Sequence, residues 1–393
     1  MDRCTEIRLI QQLLDLHADK SAFLVDDVGS EPVSHYVDSN RFASEQQAIF
    51  AATPQPLVHA SELPEAGSFL RRTLAGLPLL LTRDTDGETH AFINVCRHRG
   101  TRLVDAMSGC KRRFSCPYHA WTWDNRGRLV GIPHEQQGFP GIDKSKLGLH
   151  RVGCVEHYGW IWVQANAITP PDIDAYLAGL TDDFEALHAE EYRIAHCDEL
   201  EVAANWKLIV EGGIEAYHFR VTHRDTIGPF FMDNLSTFEQ FGSHLRSVLA
   251  RRTVTDLHEL PQTQWHLRAH AQVLYSVFPA NQYLVQSDHF AWIQLEPIAA
   301  DRTRLRIQTM VPCDRLDAAG DLAHWQKNHT ITMDTLAEDF AIGESIQSGL
   351  TSGANTALTF GRFEGALGAF NRCVAKYVGS IRSKGVPQGP ITR

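Results

Sequence analysis

Two short cysteine–histidine pairs constrain the fold of this chain more than any other feature of its sequence. The segment CRHRG places Cys96 two residues before His98. The segment CPYHAW places Cys116 three residues before His119, and seventeen residues separate the two pairs. Each pair stands beside Gly or Pro between segments with strand patterns, so each is expected on a tight turn. Two thiolates and two imidazoles on neighbouring turns predict one metal centre, held by a small unit of β-hairpins.

Two kinds of metal centre fit this set of donors. A zinc ion bound by two cysteines and two histidines is one of them. The C-x-H spacing is tighter than the ligand gaps usual for zinc, which favours a [2Fe–2S] cluster with two cysteines on one iron and two histidines on the other. Neutral imidazoles carry less charge than thiolates, so such a Rieske cluster has a higher reduction potential. On the residues alone, a zinc-stabilised binding protein remains the alternative.

The length and patterning of the chain predict more than one domain and an α+β fold class. A chain of 393 residues is too long for one ordinary core. Residues 55–165 show short strand patterns broken by turns such as that at Asp86-Gly87, which predicts a small all-β domain. Residues 166–393 mix strand and helix patterns and predict a larger α+β domain. Residues 1–54 are expected to form a helical segment that packs on that larger domain.

Charge and hydropathy exclude several classes of function. The net charge of −10 and the pI of about 6.0 argue against a nucleic-acid-binding surface. No apolar run reaches the length of a membrane span, and the first twenty residues do not have the pattern of a signal peptide. We therefore expect a cytoplasmic protein that binds neither nucleic acid nor membranes.

A second metal motif lies in the segment EGGIEAYHFRVTH, where His218 and His223 are five residues apart. On an ideal helix that spacing corresponds to roughly 140°, so a straight helix would not direct both imidazoles at one ion. The helix is therefore expected to end or bend near His223. Two histidines and one distant carboxylate would form the facial triad of non-haem Fe(II) oxygenases. The candidate carboxylates are Glu211, Asp225, Asp334, Glu338, Asp339 and Glu344.

Together, CRHRG…CPYHAW, NWKLIVEGGIEAYHFRVTH and the later EDFAIGESIQSGL resemble the α subunit of Rieske non-haem iron oxygenases. The resemblance implies a Rieske domain followed by a helix-grip-type catalytic domain with an antiparallel sheet. It also implies that Asp339 completes the mononuclear Fe(II) site with the two histidines. The sequence departs from the usual pattern at Ala120, where the family has Gly, and at Gly212, where Asn is common.

A third departure, Glu215 in place of the more common Asp, occupies the position that bridges subunits in this family. The resemblance implies that Glu215 accepts hydrogen bonds from an iron-ligating histidine of its own chain and from His119 of a neighbouring subunit, in a homotrimer. A carboxylate that receives a ligand's free ring N–H fixes that ring. The alternative is a carboxylate that orients one histidine within its own chain. Glu at this position resembles the enzymes that oxidise quaternary N-methyl compounds such as carnitine and glycine betaine.

The resemblance therefore implies the terminal oxygenase of a multicomponent system. Electrons from NAD(P)H would arrive through a separate flavin/iron–sulfur reductase, with or without a ferredoxin, and O₂ would oxidise a small organic substrate. No G-x-G-x-x-G follows a strand pattern, so nicotinamide binding by this chain is not expected. Hydroxylation or oxidative dealkylation by a monooxygenase is favoured. The alternatives are a cis-dihydroxylating dioxygenase and a non-catalytic Rieske electron carrier.

Aromatic residues after the second motif are candidates for a substrate pocket. An apolar cavity beside the iron, or an aromatic cage for a cation, would use such side chains. The alternative is that they are ordinary core residues. The candidates are Phe230, Phe231, Phe238 and Trp292.

Overall fold

The computed structural model describes residues 1–316 and 320–384, with side chains described to residue 380. It divides into two compact units. One unit is Phe50–Tyr176, and the other comprises Met1–Ile49 and Leu177–Arg393. Residues 317–319 and 385–393, which fall in the predicted domain 166–393, lie outside the described residues. These two units do not test the domain boundaries predicted from the sequence, which remain a prediction.

Helices and antiparallel strands make up both units, in agreement with the predicted α+β class. Among the described residues the helices are α1 (Arg3–Ala18), α2 (Ser34–Val37), α3 (Ser39–Glu45), α4 (Glu135–Gly138), α5 (Ile173–Leu177), α6 (Thr181–Glu185), α7 (Trp206–Gly213), α8 (Phe219–Thr222), α9 (Leu267–His270), α10 (Asp321–Leu350) and α11 (Gly365–Lys384). The strands of the same residues are β1 (Gly29–Pro32), β2 (Gln55–His59), β3 (Ser68–Leu74), β4 (Leu77–Arg83), β5 (Thr89–Ile93), β6 (Ser108–Cys110), β7 (Arg113–Ser115), β8 (Thr122–Asp124), β9 (Leu129–Gly131), β10 (Arg151–His157), β11 (Trp160–Gln164), β12 (Tyr192–Val202), β13 (Phe231–Phe241), β14 (His244–Arg251), β15 (Ala271–Val277), β16 (Asn281–Val285), β17 (Phe290–Ala299), β18 (Arg302–Pro312) and β19 (Ala357–Phe360).

The smaller unit is built from hairpins, as the spacing of its turn residues predicts. Its larger sheet has the order β2-β11-β10-β5-β4-β3-β6, and a three-stranded sheet has the order β7-β8-β9. The turn predicted at Asp86-Gly87 joins β4 to β5, where Gly87 has a φ of 88°. One core cluster of this unit surrounds Cys96 and Cys116 and includes the buried Trp121. The metal-binding motifs therefore lie at the edge of a well-packed core.

The larger unit contains a second seven-stranded sheet, in the order β12-β18-β17-β16-β15-β14-β13 among the described residues. The strands β14 and β15 are buried along nearly their whole length, whereas the edge strands β12 and β13 are mostly half-buried or exposed. The helix α10 contacts α7 and β12. This packing of α10 on α7 brings the late carboxylates to the histidine motif.

Buried polar contacts attach the N-terminal residues of this unit to α7. Lys207 has no exposed surface, and its ammonium group donates to both carboxylate oxygens of Glu45 at 2.8 Å. Trp206 donates its indole N–H to the same carboxylate at 2.9 Å. Burying two charges is tolerated only where they are paired and hydrogen-bonded, as they are here. This network fixes the helix that precedes the second metal motif.

None of the helices in residues 1–316 and 320–384 is long and apolar enough to cross a membrane.

Candidate metal centres and cavity

The two cysteine–histidine pairs lie on two turns with the same backbone pattern. The amide of Cys96 donates to Thr101 O at 2.8 Å, and the amide of Gly100 donates to Cys96 O at 3.0 Å. In the second turn the amide of Cys116 donates to the carbonyl of Trp121 at 2.8 Å. Each turn is therefore closed across its own ligand pair, which fixes the direction of the side chains.

The side chains on these turns converge and fit a metal cluster. Cys96 and Cys116 are 2% and 3% exposed, and all eight cysteines of the chain lie in the described residues with free thiols. The rings of His98 and His119 are 4.8 Å apart. His98 Nδ1 is buried and has no hydrogen-bond partner among the described residues. Burial, and next the neighbouring Cys116 thiol, raise the pKa of Cys96. A buried imidazole nitrogen without a hydrogen-bond partner is costly unless it binds a metal, and the two thiols beside it are further ligands of the kind that such a metal takes.

Ala120, one of the departures noted in the sequence, lies in the left-handed region with a φ of 57°. Its amide donates to Cys116 O at 2.9 Å, which closes the second turn. A left-handed backbone disfavours any residue with a Cβ by about 1–2 kcal/mol. The turn is therefore kept at some cost in strain where glycine would have none.

His218, His223 and Asp339 form the second cluster of candidate ligands. The Nε2 atoms of the two histidines are 3.1 Å apart. Asp339 Oδ1 lies 3.4 Å from His218 Nε2 and 3.1 Å from His223 Nε2. One ligand atom from each of the three residues lies within 4.8 Å of the others, a spacing that fits one metal ion. As the five-residue spacing predicts, α8 ends at Thr222, so His223 follows the helix rather than lying on its far side.

Glu215 contacts the first histidine from an irregular segment of the chain and not from a helix. The helix α7 ends at Gly213, and Glu215 lies in the irregular segment between α7 and α8. Its carboxylate contacts His218 Nδ1 and also accepts from the backbone amide of Tyr217. The expected contact is made because the chain turns back on itself, not because of helical periodicity.

Glu338 supports the second histidine in the same way. Its Oε2 atom lies 2.7 Å from His223 Nδ1 and 2.7 Å from the hydroxyl of Thr226. From the sequence, Glu338 is only a candidate ligand. In the structure its carboxylate contacts Nδ1 of the His223 ring, on the side away from Asp339. Sequence reasoning missed this role, because a helical period cannot tell which of two consecutive acids points at the metal.

The other candidate carboxylates have different partners. Asp225 is exposed and pairs with Arg224 at 3.0 Å. Glu344 accepts from the amide of Ala203 at 2.9 Å, and Asp334 is exposed. Glu211 is buried and accepts from Tyr36 and Asn371, as described below. Among the described residues, the group of three that could hold an ion includes none of these four acids.

Electrostatics within the triad are strongly coupled. Burial acts to lower the pKa of His218, but Asp339 and Glu215 outweigh it and raise that pKa to about 10. Burial acts to raise the pKa of Asp339, but the two histidines outweigh it and lower that pKa. The negative charge of Asp339 and the positive charge on the imidazoles thus stabilise each other. A divalent cation between the three side chains would replace the protons of the imidazoles. Metal binding then requires neutral imidazoles and releases protons.

A cavity of about 570 Å³ opens beside the triad and includes His218 and Asp339 in its lining. Its wall is mostly apolar, with Leu and Ile side chains and the phenyl rings of Phe340 and Phe360. Gly213 permits the close approach of α7 to β16, since a Cβ there would lie 2.5 Å from the side chain of Gln282. The aliphatic wall includes Ile293, Ile342, Ile346, Leu350, Leu358 and Leu367.

The aromatic residues predicted to line a substrate pocket do not line this cavity, which corrects the prediction. Phe230 is 62% exposed. Phe231 lies at the start of β13, where its ring packs edge-on against Phe219 at 5.4 Å. Both residues follow the histidine motif closely in sequence, but neither is among the residues that line the cavity.

The two remaining aromatic candidates, half-buried Phe238 and fully buried Trp292, pack against other side chains of the larger unit. Phe238 packs edge-on against Phe23, with the ring centroids 5.5 Å apart. Trp292 is fully buried, stacks on Tyr283 at 6.1 Å and donates its indole N–H to Asn281 at 3.1 Å. Both side chains thus take part in packing within the unit, and neither lines the cavity beside the triad.

Comparison with known families agrees with this organisation. Residues 53–157 match the family model of the Rieske [2Fe–2S] domain. Residues 189–380 match the model of the ring hydroxylating alpha subunit, catalytic domain. The Rieske match decides between the cluster and zinc for the smaller unit.

Curated relatives include a glycine betaine monooxygenase oxygenase subunit from Pseudomonas aeruginosa, 34% identical over 198 residues, which are 50% of this chain and 46% of the relative. The biphenyl 2,3-dioxygenase subunit alpha of Rhodococcus jostii is 31% identical over 180 residues, or 45% of this chain and 39% of that protein. The chain thus spans about half the length of the curated relatives that it matches.

A solved structure of the quaternary ammonium Rieske monooxygenase CntA superimposes with a TM-score of 0.77 at 22% identity, covering 89% of this chain and 96% of that one. At that identity the likeness shows the fold alone. With both family models matched in this order, the chain belongs to the Rieske-type oxygenase α subunits, with a Rieske [2Fe–2S] domain followed by a ring-hydroxylating catalytic domain.

Proposed function

We propose that this protein is the terminal oxygenase of a multicomponent Rieske non-haem iron oxygenase and acts on a small organic substrate as a monooxygenase. The observation that carries the proposal is the triad of His218, His223 and Asp339 at the wall of a cavity of about 570 Å³. A non-catalytic electron carrier would need neither the triad nor the cavity. Two histidines and one carboxylate leave coordination positions open for O₂.

The first centre would be held by Cys96, Cys116, His98 and His119, and the second by the triad. When bound, the cluster and the mononuclear Fe(II) supply one-electron transfer and O₂ activation. Burial of the two cysteines keeps their sulfur atoms from solvent. The stacking of His98 on Trp121, at 4.7 Å, fixes the plane of that ring.

Two glutamates orient the ligands of the second centre. The carboxylate of Glu215 accepts a hydrogen bond from His218 Nδ1, and that of Glu338 accepts one from His223 Nδ1. Both rings therefore direct Nε2 toward the same point. A carboxylate behind a ligating imidazole fixes the tautomer and makes the ring a stronger ligand. The aliphatic wall excludes water from the substrate and favours its apolar atoms.

The proposal includes a separate reductase as electron donor and a homotrimer as the working unit. In that trimer Glu215 would also accept a hydrogen bond from His119 of a neighbouring subunit, and its contact with His218 of its own chain supports this role. Inter-subunit electron transfer is described for the quaternary ammonium monooxygenase whose fold this chain shares. A head-to-tail ring would present the Rieske domain of each chain to the catalytic domain of the next.

The monooxygenase reading rests on Glu215 in place of Asp and on the glycine betaine monooxygenase relative. Dioxygenation is the second candidate reaction, because a biphenyl dioxygenase subunit is also among the relatives. The reaction type is tested by counting the oxygen atoms from ¹⁸O₂ that enter the product.

The first experiment is purification under low oxygen, followed by a visible spectrum and assays of iron, zinc and acid-labile sulfide. We expect a Rieske spectrum, with two cluster irons and one further iron for each pair of labile sulfides. Zinc without labile sulfide would overturn the cluster. Cluster iron alone, in protein whose triad is intact, would favour the electron carrier.

A further inference from the structure

The cavity beside the triad has an unusual balance of charge. Four carboxylates contribute to its lining, and no Lys or Arg does so among the residues described around it. His218 is the imidazole of this lining, and it belongs to the metal centre. The four acids are Glu211, Glu215, Asp339 and Glu364.

Three of these acids have partners of their own. Asp339 and Glu215 both contact His218. Glu211 accepts from the hydroxyl of Tyr36 at 2.7 Å and from the side-chain amide of Asn371 at 2.7 Å. The carboxylate groups of these three acids therefore already have partners within the protein.

Glu364 differs from the other three acids. Its carboxylate accepts one hydrogen bond, from the backbone amide of Gly361 at 2.6 Å, and it makes no ion pair with any Lys, Arg or His of the described residues. The side chain is half-buried, and burial, together with the nearby Glu215, raises its pKa against the opposing effects of the Gly361 amide and of the more distant His218. A carboxylate in such a place is costly unless a cation compensates it.

The remaining walls define what such a cation would look like. They are mainly apolar, with more Leu and Ile side chains than rings, so they favour a hydrocarbon body and offer few ring faces for cation–π contact. A carboxylate on the ligand would meet a cavity in which no Lys or Arg is available to receive it. The cavity thus favours a net positive ligand over a zwitterion or an anion.

We propose that Glu364 is the anchor for the cationic head group of the substrate, and that the substrate is an aliphatic ammonium ion without a carboxylate. This inference rests on the proposed oxygenase function and narrows its substrate class. It also separates this chain from the curated relative named for glycine betaine, which is a zwitterion.

Binding of three soluble probes tests the proposal on the iron-loaded full-length protein by titration calorimetry. Choline carries the cation, 3,3-dimethylbutan-1-ol is its neutral isostere, and glycine betaine adds a carboxylate. We expect choline to bind at least about tenfold more tightly than either of the others, a difference of about 1.4 kcal/mol. Equal or tighter binding of the neutral isostere or of glycine betaine would overturn the proposal.

Variants of two glutamates assign the effect to one residue. Glu364→Gln keeps an acceptor for the Gly361 amide but loses the charge, and it should abolish the preference for choline over the isostere. Glu344→Gln is the matched control, because Glu344 also accepts one backbone amide but does not line the cavity. Retention of the preference in Glu364→Gln, or its loss in both variants, would contradict the assignment.

A longer probe tests the aliphatic wall. Hexyltrimethylammonium should bind more tightly than choline, because each additional buried methylene contributes about 0.8 kcal/mol. If neither ammonium ion binds to folded, iron-loaded protein, the inference fails. Iron, labile sulfide and reductase-dependent O₂ consumption, measured on the same preparation, show separately whether the oxygenase proposal holds.

Discussion

Glu338 and Asp339 are consecutive residues of α10, yet their carboxylates contact opposite sides of one imidazole ring. Glu338 Oε2 lies 2.7 Å from His223 Nδ1, and Asp339 Oδ1 lies 3.1 Å from His223 Nε2. One acid therefore faces the candidate metal position and the other orients the ligand from behind. The helix α10 thus carries one candidate ligand, Asp339, and also the residue that orients a second candidate ligand, His223.

Replacing Asp339 by Ala should remove the mononuclear iron and leave the cluster spectrum unchanged. The reason is that Asp339 supplies the carboxylate of the triad, while the cluster residues lie in the other unit. Iron and labile sulfide analysis with a visible spectrum measures both effects. Full iron content and full activity in this variant would show that another carboxylate is the ligand.

Replacing Glu338 by Gln should weaken binding of the mononuclear iron about 10- to 100-fold without eliminating it. The amide can still accept from the ring N–H of His223, but it lacks the charge that makes the ring a stronger ligand. Equilibrium dialysis with Fe(II) under nitrogen measures the affinity directly, and Glu338→Asp tests for partial rescue. Glu344→Gln, on the same helix, should leave the affinity unchanged. An unaltered affinity in Glu338→Gln would reduce the role of Glu338 to packing.

Replacing Ala120 by Gly should stabilise the Rieske unit by about 1 kcal/mol. The left-handed φ of 57° at Ala120 is unfavourable for a residue with a Cβ. The temperature at which the cluster absorption is lost on heating reports the stability of this unit. Ala106→Gly is the control, because Ala106 is also exposed but is not among the residues with positive φ. A lower transition temperature in Ala120→Gly than in the parent would show that the strain is relieved in some other way.

Replacing Glu211 by Gln should change how stability depends on pH. Burial raises the pKa of Glu211 to about 7, against the opposing hydrogen bonds of Tyr36 and Asn371. A carboxyl whose pKa is higher in the folded than in the unfolded state stabilises the fold fully below its unfolded pKa, and this contribution is lost as the pH rises through 7. The stability of the variant relative to the parent should therefore increase between pH 5 and pH 8, by an amount on the order of 2 kcal/mol.

Denaturant unfolding at several pH values measures that difference. Glu259→Gln, an exposed position of the same unit, is the control and should show a constant difference across the range. A constant difference for Glu211→Gln as well would mean that Glu211 does not keep its proton in the folded protein.

Electron transfer between subunits can be tested by mixing two inactive variants. Cys116→Ser disables the cluster of its chain, and His218→Ala disables the iron site of its chain. In the proposed head-to-tail trimer, mixing would let some intact clusters face intact iron sites across an interface, so activity should return. Absence of activity in verified mixed oligomers would mean that each chain works alone. Glu215→Gln should leave both centres assembled and slow the transfer.

Local chemistry in the sequence is sufficient to nominate the cysteines and histidines of both centres as candidate ligands, whereas only the family resemblance singles out Asp339. Cys96 and His98 are identified by donor type and spacing, because turns closed within a few residues depend only on nearby amino acids. The end of α8 before His223 follows from the angle that five residues span on a helix. The aromatic candidates fail for the complementary reason. A hydrophobic residue near a motif can pack in the core or line a pocket, and the sequence does not distinguish between these two positions.

Tertiary structure decides the contacts that join distant segments. Whether Glu338 or Asp339 faces the metal depends on how α10 is rotated against α7, and a difference of one residue turns a side chain by about 100°. The unpaired charge of Glu364 is equally invisible in the sequence, because it depends on which side chains surround the cavity. Donor identity is a property of residues, whereas direction and burial are properties of packing between elements far apart in the chain.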